Sequence, residues 1–469
     1  MTALLIVLIY LAGLSIVLHT YKPLSFLEKL SIPLLLGCFL TSLLMFLMSL
    51  VHLPLTLVNI MLGLVITAAG IGGIGYKNLS AFFQSITDQI KSTKIRIDFI
   101  WLGIVAFGLL LFYQIALKGM FWPITEMDAV AGYDLLAKGI ADEKMLGNSI
   151  LMNKELVLSC GPRLFYPPFL SFINALSYSL GYETPKLINI VLAGDFLIVF
   201  YALVRRLSGP LAAALCTLLV LITPEMFAHI AFSLTNYPSA IFSSIAVIYF
   251  YLFFKEKDPA HAILSCLFLS GSMMVRSDNV VFIMAIAPLI AFMIYKKNLR
   301  LAYGLAYLSM PVVVFLAWNL YTKYVIGIEQ NSFFVKEYTW NGDKFEKLWS
   351  YVFSLIKNKS LYGLSFYAFF TFLIINIYFL IKKDMWSFLT MILVAWIPYT
   401  MIYYFIEDEA YLFAQGGGWL ASGYKRGLFS YIPLVWFYVF VSRGPSIIFQ
   451  FIEEKVFGRK TILVEQTNE

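Results

Sequence analysis

Apolar residues run in long stretches along this chain, and polar residues are confined to the connections between them. A helix needs about 20 apolar residues to cross a hydrocarbon layer, and backbone groups in lipid find partners only inside helices or closed barrels. The stretches 2–19, 30–50, 54–75, 99–117, 187–204, 211–228, 237–254, 261–275, 279–295, 301–321, 361–381, 387–405 and 428–442 reach or approach that length. They predict an all-α polytopic membrane protein with about 13 transmembrane helices. The first run has no basic residue ahead of it and is long for a signal peptide, so it reads as a retained helix.

Composition agrees with that pattern. Hydrophobic residues make up 61% and charged residues 13% of the 469 positions, against about 25% charged in soluble proteins. The net charge of +7 has to be sorted by side. Alternate short connections carry Lys22 and Lys29; Lys77, Lys91, Lys94 and Arg96; Arg205 and Arg206; Lys255 and Lys257; Lys296, Lys297 and Arg300; Lys382 and Lys383; and Arg443, Lys455, Arg459 and Lys460. By the positive-inside rule this set is cytoplasmic, which puts the N-terminus outside and the C-terminus inside. The inner side then holds about +9, the outer side about −1 and one span Asp195, so the positive balance marks topology and leaves no basic patch for nucleic acid. Of four cysteines, Cys38, Cys216 and Cys266 sit in apolar runs and only Cys160 in a polar segment, so no disulfide or zinc framework exists.

The long non-spanning segments 118–186, 322–360 and 406–427 all fall on the expected outer side, where function is to be sought. The first places Glu126, Asp128, Asp134, Asp142 and Glu143 just after a span. Asp134, Lys138 and Asp142 are spaced to form ion pairs along one solvated helical face. Thr125 and Asp128 fit a capping box; the functional alternative makes Asp128 a general base or metal ligand at a cleft above the membrane. After Tyr166-Pro167-Pro168, apolar residues recur at three- and four-residue steps from Phe169 to Leu180 with Ser171, Asn174 and Ser177 between them. This predicts a short amphipathic helix lying in the membrane interface.

The order of a span, an acidic outer loop with Asp128, Tyr166-Pro167-Pro168 with an amphipathic helix, and a span ending in Arg205-Arg206 resembles the GT-C fold of integral-membrane glycosyltransferases. Protein O-mannosyltransferases and lipid A aminoarabinose transferases are the most similar in pattern, over about residues 99–300 and again near 424–435. Arg276-Ser277-Asp278 looks like the Arg-x-acid motif of bacterial members, and Tyr424-Lys425-Arg426 like their basic pair before the final helix. The sequence departs from the family at Asn236, where an acidic residue often stands, and at Ala129, which replaces the second acid of the mannosyltransferase pair.

The resemblance implies an inverting transfer of a sugar from a polyprenyl-phosphate carrier to a hydroxyl of a glycan, lipid or protein, at the outer face of a plasma (inner) membrane. Asp128 would take the acceptor's proton, and Arg276, Lys425 and Arg426 would hold the donor phosphate. Each of these cations also has a plainer reading as an anchor to lipid headgroups. Glu126, Asp134, Tyr166 and Asp278 would support the site. The cofactor is left open; if a divalent cation takes part, Asp128 is its candidate ligand. Residues 1–98 would then be an added three-helix unit, 99–300 the catalytic core, 301–442 C-terminal helices and outer loops, and 443–469 a cytoplasmic, partly disordered tail.

Other features bear on rival functions. Asp195 lies in mid-span, where a charge costs a few kcal/mol, and reads either as a partner for polar groups on neighbouring helices or as the proton-coupling group of a transporter or flippase. A GT-C-like polymerase or ligase acting on diphosphate-linked glycans is a third class. Glu225 and His229 are spaced to share a metal with Asp128. Gly70 to Gly75 matches G-x-G-x-x-G without a preceding strand, so it reads as a helix-packing surface. Asn358-Lys359-Ser360 is a glycosylation sequon.

Overall fold

The computed structural model describes residues 1–92, 99–327, 340–414 and 418–457. Lys94, Arg96, Arg459 and Lys460 lie outside the described residues. The main helices are α1 (Thr2–Thr20), α2 (Phe26–Leu50), α3 (Leu57–Gly75), α4 (Leu79–Ser92), α5 (Phe99–Phe121), α6 (Asp134–Glu143), α7 (Phe169–Ser179), α8 (Lys186–Ser208), α9 (Pro210–Ile222) and α10 (Pro224–Ile230). They continue with α11 (Asn236–Glu256), α12 (Pro259–Val275), α13 (Val280–Tyr295), α14 (Leu301–Tyr321), α15 (Gly342–Ile356), α16 (Ser365–Ile375), α17 (Trp386–Tyr404), α18 (Ile432–Val441) and α19 (Arg443–Phe457).

The chain is an all-helical, polytopic membrane protein. Among the described residues nine helices are long and apolar enough to cross a bilayer, or up to eleven if two bent pairs each count as one span. The remaining two of the thirteen expected spans are the shorter apolar helices α12 and α16. The expected span 211–228 is broken by a 74° bend between α9 and α10. Thr223 there is extended (ψ 120°), as a residue before proline prefers, and Pro224 has no amide to continue the ladder. The span 361–381 is interrupted at Asn376, whose buried side chain accepts from the Gly444 amide at 3.2 Å and meets the Tyr438 hydroxyl at 3.3 Å. The first part of the tail, expected to be polar and loose, is helical in α19, where Phe449 stacks on Phe440 at 4.9 Å.

Helix α11 forms the centre, with every residue from Asn236 to Phe253 buried. A helix apolar on all sides is stable only when enclosed, and α8, α12, α13, α17 and α18 surround it. Helices α3 and α5 are the opposite case. Few of their side chains are covered, and aliphatic positions such as Leu62 and Leu109 face outward, as lipid-facing surfaces do. The N-terminal helices are tied into the bundle, since α2 packs on α7 and α8 and its Glu28 accepts from the Tyr249 hydroxyl at 2.7 Å. Gly13 and Gly37 let α1 and α2 touch backbone to backbone, because a Cβ at either would lie within about 2 Å of a carbonyl oxygen of the other helix. Gly72 meets Ser15 in the same unit, whereas Gly70 and Gly73 have open space where a Cβ would go.

Two ends of the bundle can be told apart by their contacts. At one, the basic connections meet: Arg206 reaches Glu256 at 2.6 Å and the Pro23 carbonyl at 3.0 Å, Lys29 donates to Ser85 at 2.9 Å, and the Arg443 amide to Asp384 at 3.0 Å. At the other, the long segments meet. Trp318 donates to the Phe165 carbonyl at 2.7 Å, Asn341 to the Tyr404 hydroxyl at 2.6 Å, and Tyr362 to the Lys425 carbonyl at 2.7 Å.

The amphipathic helix expected in the membrane interface is instead enclosed by protein. All residues of α7 from Phe169 to Ser177 are buried, and its polar positions face protein partners: Ser171 donates to the Tyr133 carbonyl at 3.0 Å and Asn174 to Ser233 at 2.9 Å. Asp134 likewise departs from the expected solvated face. It is buried and accepts from the Tyr178 hydroxyl at 2.6 Å, with Lys138 at 3.8 Å on its outer edge.

Candidate functional site

At the loop end the chain leaves α5 through Trp122 and Pro123, whose carbonyls both accept from the buried Lys186 Nζ, at 3.2 and 3.1 Å. This fixes the start of the segment that carries Glu126 and Asp128. Residues 129–133 then form a π-helical turn ahead of α6, and a second π-helical turn spans 420–424, directly before Lys425 and Arg426. Such turns carry an extra residue in the ladder and often occur at functional sites. Here one follows Asp128 and another precedes the two cations; a third, at 322–326, follows α14.

Asp128 makes no helix cap. Its Oδ1 accepts from Arg163 Nε at 2.7 Å and its Oδ2 from Arg426 Nη1, a partner 298 positions away. Gly132 permits the first contact, since a Cβ there would lie 2.7 Å from that of Arg163. A parallel pair stands alongside, with Lys425 Nζ 3.0 Å from Glu225 Oε1. Glu225 Oε2 lies 3.5 Å from His229 Nδ1, which also lies 2.8 Å from the Glu225 carbonyl oxygen. The imidazole packs against Phe429 at 4.3 Å and Phe232 at 5.3 Å.

These groups surround a cavity of about 510 Å³, lined by Glu126, Asp128, Glu225, His229, Lys425 and Arg426 together with Met127, Pro224, Ala228, Phe232, Leu234 and Ser360. Both carboxylate oxygens of Glu126 are buried without a hydrogen-bond partner. Ser360, the last residue of the sequon, is held through its amide by Asn358 at 2.9 Å.

The segment bearing the cations is gripped from α17. Tyr399 Oη lies 3.4 Å from the carbonyl oxygens of Gly423 and Tyr424 and 3.2 Å from Tyr403 Oη, while Trp396 and Thr400 bond the Tyr424 hydroxyl at 2.8 and 3.0 Å. Tyr399 rests directly on Gly427, where a Cβ would be 1.6 Å from its hydroxyl oxygen. Only a residue without a side chain fits there.

Of the expected site residues, the structure brings Asp128, Lys425 and Arg426 together and puts Glu126 in the same lining. Arg276, expected at the donor phosphate, is not among the lining residues. Its guanidinium is engaged by Asp278 through two bonds of 2.9 and 2.6 Å and by Asn236 at 2.7 Å, and it lies over the Tyr166 ring at 4.9 Å. Burial raises the Tyr166 phenol above its ordinary pKa. Burial likewise pushes the Asp134 carboxyl up, against the opposing effect of the Tyr178 hydrogen bond. Tyr166, Arg276 and Asp278 thus form a cluster of their own, and Asp134 belongs to the packing of α6 on α7.

Arg163 was not foreseen. It is the one arginine among lysines in the loop 118–186, which was the available signal, since a guanidinium can bind a carboxylate or phosphate along a fixed fork. Nor was the pairing of Glu225 with Lys425. Among the described residues no three His, Cys, Asp or Glu side chains form a metal-holding group, and both Asp128 oxygens face guanidinium groups. Comparison of the chain with protein-family models, curated proteins and solved structures finds no match.

Proposed function

We propose that the protein is an inverting glycosyltransferase of GT-C type, which moves a sugar from a polyprenyl-phosphate carrier to an acceptor hydroxyl at the outer face of a plasma membrane. The observation that carries this reading is the convergence of Asp128, Arg163, Glu225, Lys425 and Arg426, from distant parts of the chain, at one end of a membrane-embedded bundle. A lipid-linked sugar leaves as a polyprenyl phosphate, so negative charge develops on oxygen close to the bilayer. Lys425 and Arg426, which line the cavity, supply cations to meet it, and Arg163 shares the Asp128 carboxylate with Arg426. The leaving group is ready-made, so one proton acceptor for the attacking hydroxyl suffices. For Asp128 to serve as that acceptor, one of its guanidinium partners must move to the phosphate.

The test offers purified protein a panel of farnesyl- or undecaprenyl-phosphate sugars (glucose, mannose, galactose, aminoarabinose) and measures release of the polyprenyl phosphate. Wild-type protein should turn over at least one donor, and Arg426→Gln and Asp128→Asn should each lower kcat/KM by about 100-fold, the scale of one lost charge-assisted contact. No turnover of any donor, or unaltered turnover by both variants, would sink the reading.

Asp195 favours a second reading, as a transporter or lipid-linked sugar flippase. One of its oxygens, Oδ2, is buried in the span α8 without a partner. Substrate movement in proteoliposomes that Asp195→Asn abolishes, without any glycosyl product, would select that reading.

A further inference from the structure

The cavity holds one base whose lone pair no neighbouring group occupies and whose orientation is fixed. Asp128 faces a guanidinium at each oxygen, and Glu225 faces Lys425 with Oε1. Glu126 has both oxygens buried and unbonded, but it has no hydrogen bond to hold it in one pose and lies in the fields of Lys186 and Asp134. His229 differs from all three. Its Nδ1 is turned back to the Glu225 carbonyl at 2.8 Å, and a carbonyl only accepts, so Nδ1 carries the proton and Nε2 the free lone pair. The ring is clamped between Phe429 and Phe232, and the residue lines the cavity.

From this geometry we infer that His229, steered by Glu225, accepts the proton of the attacking hydroxyl in place of Asp128, whose two oxygens hold Arg163 and Arg426; the role rests on the glycosyl-transfer reading above. The acceptor oxygen forms its bond to the anomeric carbon. The bond from that carbon to the phosphate oxygen breaks, with the electron pair going to the phosphate beside Lys425 and Arg426. The hydroxyl proton passes to Nε2 and later to water. The imidazolium formed in between faces the Glu225 carboxylate at 3.5 Å, which stabilises the charge. The charged groups facing the ring are Glu225 on its own helix and Lys425 from the opposite wall, which the same carboxylate holds at 3.0 Å. Glu225 is thus a positioning residue for both the base and one phosphate cation.

The test uses the full-length protein in detergent, the one polyprenyl-phosphate sugar of the panel that wild-type protein turns over, and water as acceptor. His229→Asn keeps a side-chain N–H for the Glu225 carbonyl and lacks the Nε2 lone pair. Its kcat should fall by about 10²- to 10⁴-fold, the usual contribution of general-base catalysis, with the donor KM within about three-fold of wild type. His229→Ala should be inactive and should recover at least about ten-fold on addition of imidazole, which a merely structural histidine would not allow. A His229→Asn kcat within about three-fold of wild type, or no imidazole rescue of His229→Ala, overturns the role of His229 while leaving glycosyl transfer intact. Absence of turnover by the wild-type protein overturns both.

Discussion

Gly427→Ala is the sharpest single perturbation of the site. The added methyl would lie 1.6 Å from Tyr399 Oη, 2.0 Å from Cζ and 2.7 Å from Cε2, so ordinary contact demands a retreat of nearly 2 Å. Tyr399 cannot supply it, because it is buried among the rings of Tyr403, Tyr424 and Tyr431 at 5.5, 5.2 and 6.2 Å. The backbone carrying Lys425 and Arg426 must move instead. Overpacking of this kind costs about 1–3 kcal/mol. Loss of the 2.7 Å bond from Tyr362 to the Lys425 carbonyl adds about 1 kcal/mol. A total of about 2–4 kcal/mol should lower the melting temperature of the detergent-solubilised protein by about 2–4 °C. Hydrogen exchange should rise across 420–428 and not in α11. Tyr399→Phe does not make room, since Cζ remains, but Tyr399→Leu does. The double variant Tyr399→Leu, Gly427→Ala should therefore be more stable than the summed single effects by about 1 kcal/mol or more. A melting temperature unchanged by Gly427→Ala, or strict additivity with Tyr399→Leu, would refute the contact.

Two further outcomes follow from packing and burial. Gly13→Ala puts a methyl 1.8 Å from the Pro33 carbonyl oxygen and should separate α1 from α2 at a cost of about 2 kcal/mol or more, whereas Gly73→Ala meets nothing and should be neutral or slightly stabilising through helix propensity; equal thermal shifts for the two would contradict the close approach. Burial raises the folded-state pKa of Asp134, so the folded protein holds this proton to higher pH than the unfolded chain, and stability falls as pH rises from the ordinary carboxylate value to the raised one. Asp134→Asn keeps an acceptor for Tyr178 and should remove that fall, so that the stability of variant minus wild type, followed by melting temperature, grows across this window and then levels off; a constant difference would count against a buried, raised Asp134.

The spans were legible because apolar runs of this length have few other uses, and several of the basic connections contact one another at one end of the bundle. Asp128, Lys425 and Arg426 were legible as charges close to helix ends. What failed did so for identifiable reasons. A periodic pattern of Phe169, Phe172, Ile173 and Leu176 with Ser171, Asn174 and Ser177 shows that a helix has two faces and does not reveal the medium each one meets. In α7 the polar face meets the Tyr133 carbonyl and Ser233, groups that no local pattern could point to. Asp134 was misread in the same way, because an i, i+4 spacing to Lys138 is local and its hydrogen bond to Tyr178 is not. Arg163 reaches Asp128 only because Gly132 lets two stretches of loop touch.

The pairing of charges around the cavity bears on how a donor would enter it. Arg163 and Arg426 meet Asp128, and Lys425 meets Glu225, so no cation of this set is free in the structure. An incoming anion has to compete with a carboxylate already in place, and a singly charged, strongly hydrated ion gains little from such an exchange. A phosphate diester or monoester fixed at the membrane by its own lipid chain competes better, because the chain supplies binding energy apart from the ion pair and raises the local concentration of the headgroup. If the phosphate takes Lys425, the Glu225 carboxylate is left facing His229 alone at 3.5 Å. On the proposed reading, donor arrival would thus strengthen the base at the moment it is needed, and an empty cavity would keep its charges mutually quenched.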